Sequence, residues 1–216
     1  MSERFDIAVI GCGVVGLAIL RRLAMAGLKC VALEKGADIL SGASKGNSAL
    51  LHTGFDAPPK SVELQCMQAG HAEYLEIRQK LNLPLLETSA LVVAWAQDQL
   101  AKLDAIEKKA LSNGVADIKR LSQTELRVRE PQLAKTALAA ILVPGEHVID
   151  PWSAPLAYAH QAIAHGAEIF CNSEVTKTTR QGDEWRLTTP QGDVVARTVI
   201  NAAGLYGDHV EAMARE

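Results

Sequence analysis

An α/β fold built on a parallel sheet is what this sequence predicts, and three observations predict it. Phe5 to Ile10 is a short, largely apolar run that stops at a glycine. Val14 to Ala26 has the composition of a helix and is followed by Gly27, suited to the left-handed position just past a helix end. Cys30 to Leu33 is a second apolar run. Strand, helix and strand within about thirty residues make one βαβ unit. Near-continuous apolar runs are what parallel strands, covered on both faces, require.

The rest of the chain follows in order. Residues 36–60 are rich in Gly, Ser, Ala and Pro and read as a long loop, a length that inside a compact domain usually carries function. Val62 to Leu81 has helical spacing, with Leu64, Met67, Tyr74, Leu75 and Ile77 as its apolar face. Leu91 to Trp95 reads as a strand, and Gln97 to Ser112 as an amphipathic helix ending at Asn113-Gly114. Ser122 and Glu125 form a capping box for a short helix that stops before Pro131. Ala137 to Val143 reads as a strand. Asp150-Pro151 predicts a helix start, with its end at His165 before Gly166. Ala167–Cys171 and Glu174–Thr178 read as strands. Trp185–Thr189 and Val194–Arg197 form a hairpin around Pro190 to Asp193, and Thr198–Ile200 leads to a short final helix.

The 216 residues suffice for one sizeable core, or for one domain and part of a second. The sequence predicts a nucleotide-binding domain in two parts, 1–79 and 148–216. An inserted, incomplete α+β substrate segment spans 80–147, with a C-terminal remainder lying beyond these residues.

Charge excludes some functions. Lys plus Arg is 22 and Asp plus Glu is 25, a net of −3 with histidines neutral, and no dense basic cluster suggests a nucleic-acid surface. Cys12, Cys30, Cys66 and Cys171 lack zinc-site spacing and read as reduced thiols, with no metal expected. The N-terminus lacks the pattern of a signal peptide, and no apolar stretch approaches the roughly 18 residues of a membrane span. A cytoplasmic protein is expected, with peripheral membrane contact left open.

Gly11-Cys-Gly13-Val14-Val15-Gly16 has the G-x-G-x-x-G spacing of a dinucleotide site. Gly11 permits the tight turn out of the strand, Gly13 lets main chain approach a pyrophosphate, and Gly16 lets helix and strand pack closely. The helix opening at Val14 and Val15 then turns its N–H groups toward the phosphates. Glu34 closes the second strand 23 positions after Gly11, where a carboxylate can accept from ribose hydroxyls. This is the signature of a Rossmann-like domain. It does not choose between FAD and NAD, which share the adenosine diphosphate half. The choice comes from residues 36–59, whose small and polar residues suit an extended cofactor rather than an early second βα pair.

At Leu33-Glu34-Lys35, at Ser44-Lys-Gly-Asn47-Ser48-Ala-Leu-Leu-His52-Thr-Gly54-Phe and at Val199-Ile-Asn201-Ala-Ala203-Gly204-Leu-Tyr, the chain resembles the FAD-dependent oxidoreductases of the D-amino-acid oxidase and glycerol-3-phosphate dehydrogenase type. Within that group it is most similar to the L-2-hydroxyglutarate oxidase-like and glycerol-3-phosphate dehydrogenase-like members. The resemblance implies FAD as cofactor, Gly11, Gly13 and Gly16 at the pyrophosphate, and Glu34 with Lys35 at the adenosine ribose. It puts Ser44, Asn47 and Ser48 along the phosphate or flavin side, although Asn47 and Ser48 equally suit a helix cap. Val175 offers main-chain groups to adenine, or is ordinary strand core. Ala203 and Gly204 close over the cofactor, and His52 lies near the flavin ring as a base or a flavin-tuning group.

The implied activity is oxidation of a small 2-hydroxy acid or of glycerol 3-phosphate, with hydride passing to flavin. Two alternatives stay open: an amine or amino-acid oxidising flavoenzyme, and a non-catalytic nucleotide-binding fragment. Substrate anions would need Lys or Arg, for which Lys45 and Lys60 are the candidates. The electron acceptor is left open between oxygen, a quinone and another protein.

Overall fold

The apolar runs at the front of the chain become parallel strands in the computed structural model, which describes residues 4–215. In chain order the elements begin with β1 (Arg4–Ile10), α1 (Val14–Met25), β2 (Cys30–Leu33) and β3 (Leu50–Leu51). Next come α2 (Val62–Ile77), β4 (Leu85–Leu86), β5 (Ala90–Ala94), α3 (Gln97–Ser112), β6 (Lys119–Ser122) and α4 (Gln123–Arg129). Then follow β7 (Ala139–Val143), β8 (His147–Ile149), α5 (Ser153–Ala164), β9 (Glu168–Phe170) and β10 (Lys177–Gln181). The chain closes with β11 (Glu184–Thr189), β12 (Gly192–Asn201) and α6 (Gly207–Met213).

These elements form two compact units. The described residues up to Ser48, with those from Pro151 onward, make the first, and Ala49–Asp150 makes the second. The division differs from the expected 79/80 boundary because α2 and β3 belong with the insert: β3 takes its hydrogen bonds from β8, not from the parallel sheet.

The first unit holds a six-stranded sheet in the order β10-β11-β12-β1-β2-β9. β12, β1, β2 and β9 run parallel, and β10 and β11 add an antiparallel hairpin at one edge. All four residues of β2 are buried, as a strand covered on both faces requires. Gly16, Leu17, Leu20 and Ala24 bury one stripe of α1 at helical spacing, and Leu17, Leu20 and Ala24 share a core with Ala159 and Ala162 of α5. The other face holds Phe5, Leu33, Leu187 and Val175. β1 has β2 on one side and the last strand, β12, on the other. The strand order therefore reverses at β1, where the carboxyl ends of parallel strands open a crevice.

The second unit is α+β: two three-stranded antiparallel sheets, β3-β8-β4 and β5-β7-β6. Leu103 and Ala110 of α3 pack with Ile141 and Val143 of β7. The capping box forms as expected, with Ser122 and Glu125 each bonding the other's main chain.

Several expectations needed correction. α5 starts at Ser153 with Trp152 as its N-cap, not at Asp150-Pro151; Pro155, rather than Pro151, is the first-turn proline. The strand expected over Glu174–Thr178 begins only at Lys177. The helix expected to run to Leu81 ends at Ile77, with Leu75 exposed outside its buried stripe. Val194–Arg197 and Thr198–Ile200 are parts of one ten-residue strand, antiparallel to β11 over residues 192–196 and parallel to β1 over residues 195–201.

Candidate functional site

At the carboxyl end of β1 the chain turns through Gly11 at φ +101°, in the left-handed region, while its N–H donates to Leu33 O at 2.8 Å. A Cβ on Gly11 would lie 2.5 Å from Ala202 O, and one on Gly16 only 1.9 Å from Gly11 O. These two glycines are thus demanded by packing of turn, helix and β12 end. Gly13 differs. A Cβ there would meet only a side chain, Ser44 Oγ at 3.0 Å, and no main chain.

Val14 and Val15 open α1 and are exposed, and the Val14 N–H donates to Ser44 Oγ at 3.0 Å. Ser44 lies in a short 3-10 turn, Ala43–Gly46, that the Asn47 side chain closes by donating to Ser44 O at 2.6 Å. The Trp152 indole N–H reaches Lys45 O at 3.3 Å. Asn47 is the C-cap of that turn, and Ser48 follows it as an exposed residue.

Glu34 ends β2 and is buried. Its carboxylate accepts from Cys12 N–H at 2.9 Å and from Gly36 N–H at 2.8 Å. A carboxylate offers about four acceptor positions, so two remain for hydroxyls. Lys35 is exposed, with Nζ 3.2 Å from the centre of the Tyr206 ring. Ala203 and Gly204 follow β12; the Ala203 N–H donates to Asn201 Oδ1 at 3.2 Å, and Gly204 takes φ +56°. Val175 is not in a strand. It stands in the loop before β10 with its side chain in the core beside Phe5 and Leu33, so only its main chain can face a ligand. Cys12 is fully buried below the glycine turn; burial, then the Glu34 charge and then Cys171 push its thiol well above the ordinary range.

The first unit therefore gathers Gly11, Gly13, Val14, Val15, Gly16, Glu34, Lys35, Ser44, Ala203 and Gly204 around the carboxyl ends of β1, β2 and β12. A glycine-lined turn, the mouth of a twelve-residue helix and a buried carboxylate with spare acceptor capacity fit the adenosine diphosphate half of FAD.

The second unit carries a different group of residues. His52 follows β3, and its Nδ1 lies 2.9 Å from Glu146 Oε2. Glu146 is 2% exposed and also accepts, at Oε1, from the Thr53 N–H at 2.7 Å and the Thr53 hydroxyl at 2.8 Å. Glu146 escaped the sequence reading because its partners are 93 and 94 positions away. The signal was local: Pro144-Gly145-Glu146 sets an acidic residue between two apolar strands. Lys60 is exposed at φ +60°, and the Lys109 ammonium donates to Asp56 O at 2.7 Å. No helix among the described residues is long and apolar enough to cross a membrane.

Glycerol 3-phosphate dehydrogenase of Caloramator mitchellensis is 29% identical over 97% of this chain and 44% of its own length. L-2-hydroxyglutarate dehydrogenase of Indibacter alkaliphilus is 28% identical over 97% of this chain and 52% of its own. Among solved structures, dithionite-reduced L-α-glycerophosphate oxidase of Mycoplasma pneumoniae, with FAD bound, superposes with a TM-score of 0.91 at 25% identity, covering 98% of this chain and 57% of that one. Glycine oxidase of Bacillus cereus superposes at 0.82, also with 25% identity, over 92% and 55%. The chain spans about half the length of the curated relatives it matches. The FAD dependent oxidoreductase family description matches residues 6–216, and the chain belongs to that family.

Proposed function

We propose that the whole protein oxidises the carbinol carbon of a small 2-hydroxy acid or of glycerol 3-phosphate. FAD, when bound, supplies the two-electron acceptor for the departing hydride. In this reading Gly13, Val14, Val15 and Ser44 hold the pyrophosphate, with Gly11 and Gly16 shaping the turn. Glu34 takes the ribose hydroxyls and Lys35 borders them, Val175 offers main chain to adenine, and Asn47, Ser48, Ala203 and Gly204 line the flavin side. His52 accepts the substrate hydroxyl proton as the hydride leaves.

The observation that carries the alcohol reading is the His52–Glu146 pair. Glu146 engages Nδ1, and His52 Nε2 makes no hydrogen bond among the described residues. An amine needs only to arrive deprotonated, whereas an alcohol needs a base. The relatives named for glycerol 3-phosphate and L-2-hydroxyglutarate support the same choice. A cytoplasmic location belongs to this reading, supported by the free thiols of Cys12, Cys30, Cys66 and Cys171.

Anaerobic titration of the FAD-loaded protein with glycerol 3-phosphate, L-2-hydroxyglutarate and a panel of amino acids tests it. The expected result is bleaching of the flavin absorbance by a hydroxy substrate. Bleaching by amino acids alone would overturn it.

A further inference from the structure

Glu146 is a buried carboxyl group with all of its described partners in one place. Its Oε1 takes both donors of Thr53, and Oε2 is left to His52. The turn that carries it is pressed against Thr53: a Cβ on Gly145 would lie 2.8 Å from Thr53 Cγ2. Burying a carboxylate is costly unless donors meet it. Holding Thr53 alone would require only a neutral acceptor.

We propose that Glu146 is a positioning residue that keeps the His52 proton on Nδ1 and leaves Nε2 as the acceptor; this rests on the reading of His52 as the base. An ionised carboxylate can only accept, so Nδ1 must donate to it. In the forward reaction the substrate O–H bond breaks and its proton goes to Nε2. The C–H bond breaks with its electron pair leaving as hydride to the flavin, and the carbinol becomes a carbonyl. His52 is then an imidazolium, and the Glu146 charge 2.9 Å from its Nδ1 stabilises it.

The variant Glu146→Gln discriminates this from a merely structural role. The Thr53 N–H can only donate, so the amide oxygen of the variant must stay on Thr53, and its NH2 group must face Nδ1. That arrangement forces Nδ1 to accept and moves the proton to Nε2, the wrong tautomer for a base.

The test combines nitrogen NMR of histidine-labelled, FAD-loaded protein with anaerobic stopped-flow reduction by glycerol 3-phosphate and L-2-hydroxyglutarate. His52→Gln serves to assign the signals. In the neutral imidazole form of His52, the wild type should carry its proton on Nδ1 and E146Q on Nε2. In E146Q the flavin-reduction rate constant should fall roughly 10²- to 10⁴-fold with FAD affinity retained. E146D keeps an acceptor, so it should restore the Nδ1 proton and part of the rate; it carries the same readout should E146Q fail to fold. An unchanged tautomer in E146Q, beside an inactive H52Q, overturns the role of Glu146 alone. H52Q reducing flavin at the wild-type rate overturns the base assignment and this inference with it.

Discussion

The main-chain N–H of Cys12 donates to the Glu34 carboxylate at 2.9 Å, so the glycine turn after β1 and the end of β2 share one anion. The other oxygen of Glu34 takes the Gly36 N–H at 2.8 Å. Glu34→Gln cannot satisfy both donors, because one of them must face the amide NH2. The variant should lose about 1–3 kcal/mol of stability without FAD. It should also bind FAD more weakly than the wild type. Thermal unfolding of the FAD-free protein and a fluorescence-quenching titration with FAD check the two effects separately.

Glycines of one motif should fail in different ways. Gly16→Ala puts a methyl group 1.9 Å from Gly11 O, against backbone that cannot yield, and should destabilise the protein by roughly 1–3 kcal/mol or more. Gly13→Ala meets only a serine hydroxyl at 3.0 Å, and Gly13 has an ordinary extended backbone at φ −73°. It should unfold within about 1 kcal/mol of the wild type. Its FAD affinity should nevertheless drop at least about tenfold, or roughly 1.4 kcal/mol. Parallel melting curves and FAD titrations of the two variants show the contrast.

Cys12 makes stability fall at alkaline pH. Burial, the Glu34 charge and Cys171 raise its thiol in the folded state, so the folded chain keeps a proton that the unfolded chain releases above about pH 8.5. The stabilisation is fully present below that pH and is lost as pH rises beyond it, by up to about 1.4 kcal/mol per unit. Denaturant unfolding between pH 7 and 10 should show this decline, and Cys12→Ala should lessen it without removing it, because burial raises the Cys30 and Cys171 thiols as well. Exposed Cys66 should react with iodoacetamide in the native protein while Cys12 does not.

Asn113 holds the segment directly after His52 and Thr53. Its buried amide donates to Gly54 O and Ala57 O at 2.9 Å each. Asn113→Asp replaces the donor by a group that is acceptor-only when ionised and faces carbonyl oxygens. It should destabilise the second unit more than Asn113→Ala, which removes the donor at about 1–3 kcal/mol. Hydrogen exchange at residues 54–57 should rise in both variants, and more in the aspartate one.

Legibility along the chain followed the range of the interactions. β2 and α3 came out of the sequence with the right ends, because a fully buried apolar run and an Asn-Gly helix stop are local signals. The glycine turn and the end of β2 were legible for the same reason: both are local signals, and the fold joins them through the Cys12 N–H on the Glu34 carboxylate. β3, β4 and β8 were not read as strands. Two or three residues hold no period, and Leu50–Leu51 becomes a strand only because Val148 and His147 arrive from far along the chain. β6 was missed because its Lys119-Arg120 start is that of a charged strand at a sheet edge. The start of α5 was misplaced because two prolines, Pro151 and Pro155, both satisfy the first-turn preference, and local rules do not rank them. Glu146 could not be paired with His52 in advance, since only the fold brings β8 beside β3.

A crystal structure of the FAD-bound protein decides where the adenosine diphosphate half of the cofactor lies. The pyrophosphate should lie against the Gly13–Val15 turn at the start of α1, with the ribose hydroxyls hydrogen-bonded to the Glu34 carboxylate. A cofactor bound elsewhere, with Glu34 still engaged only by Cys12 and Gly36, would contradict it.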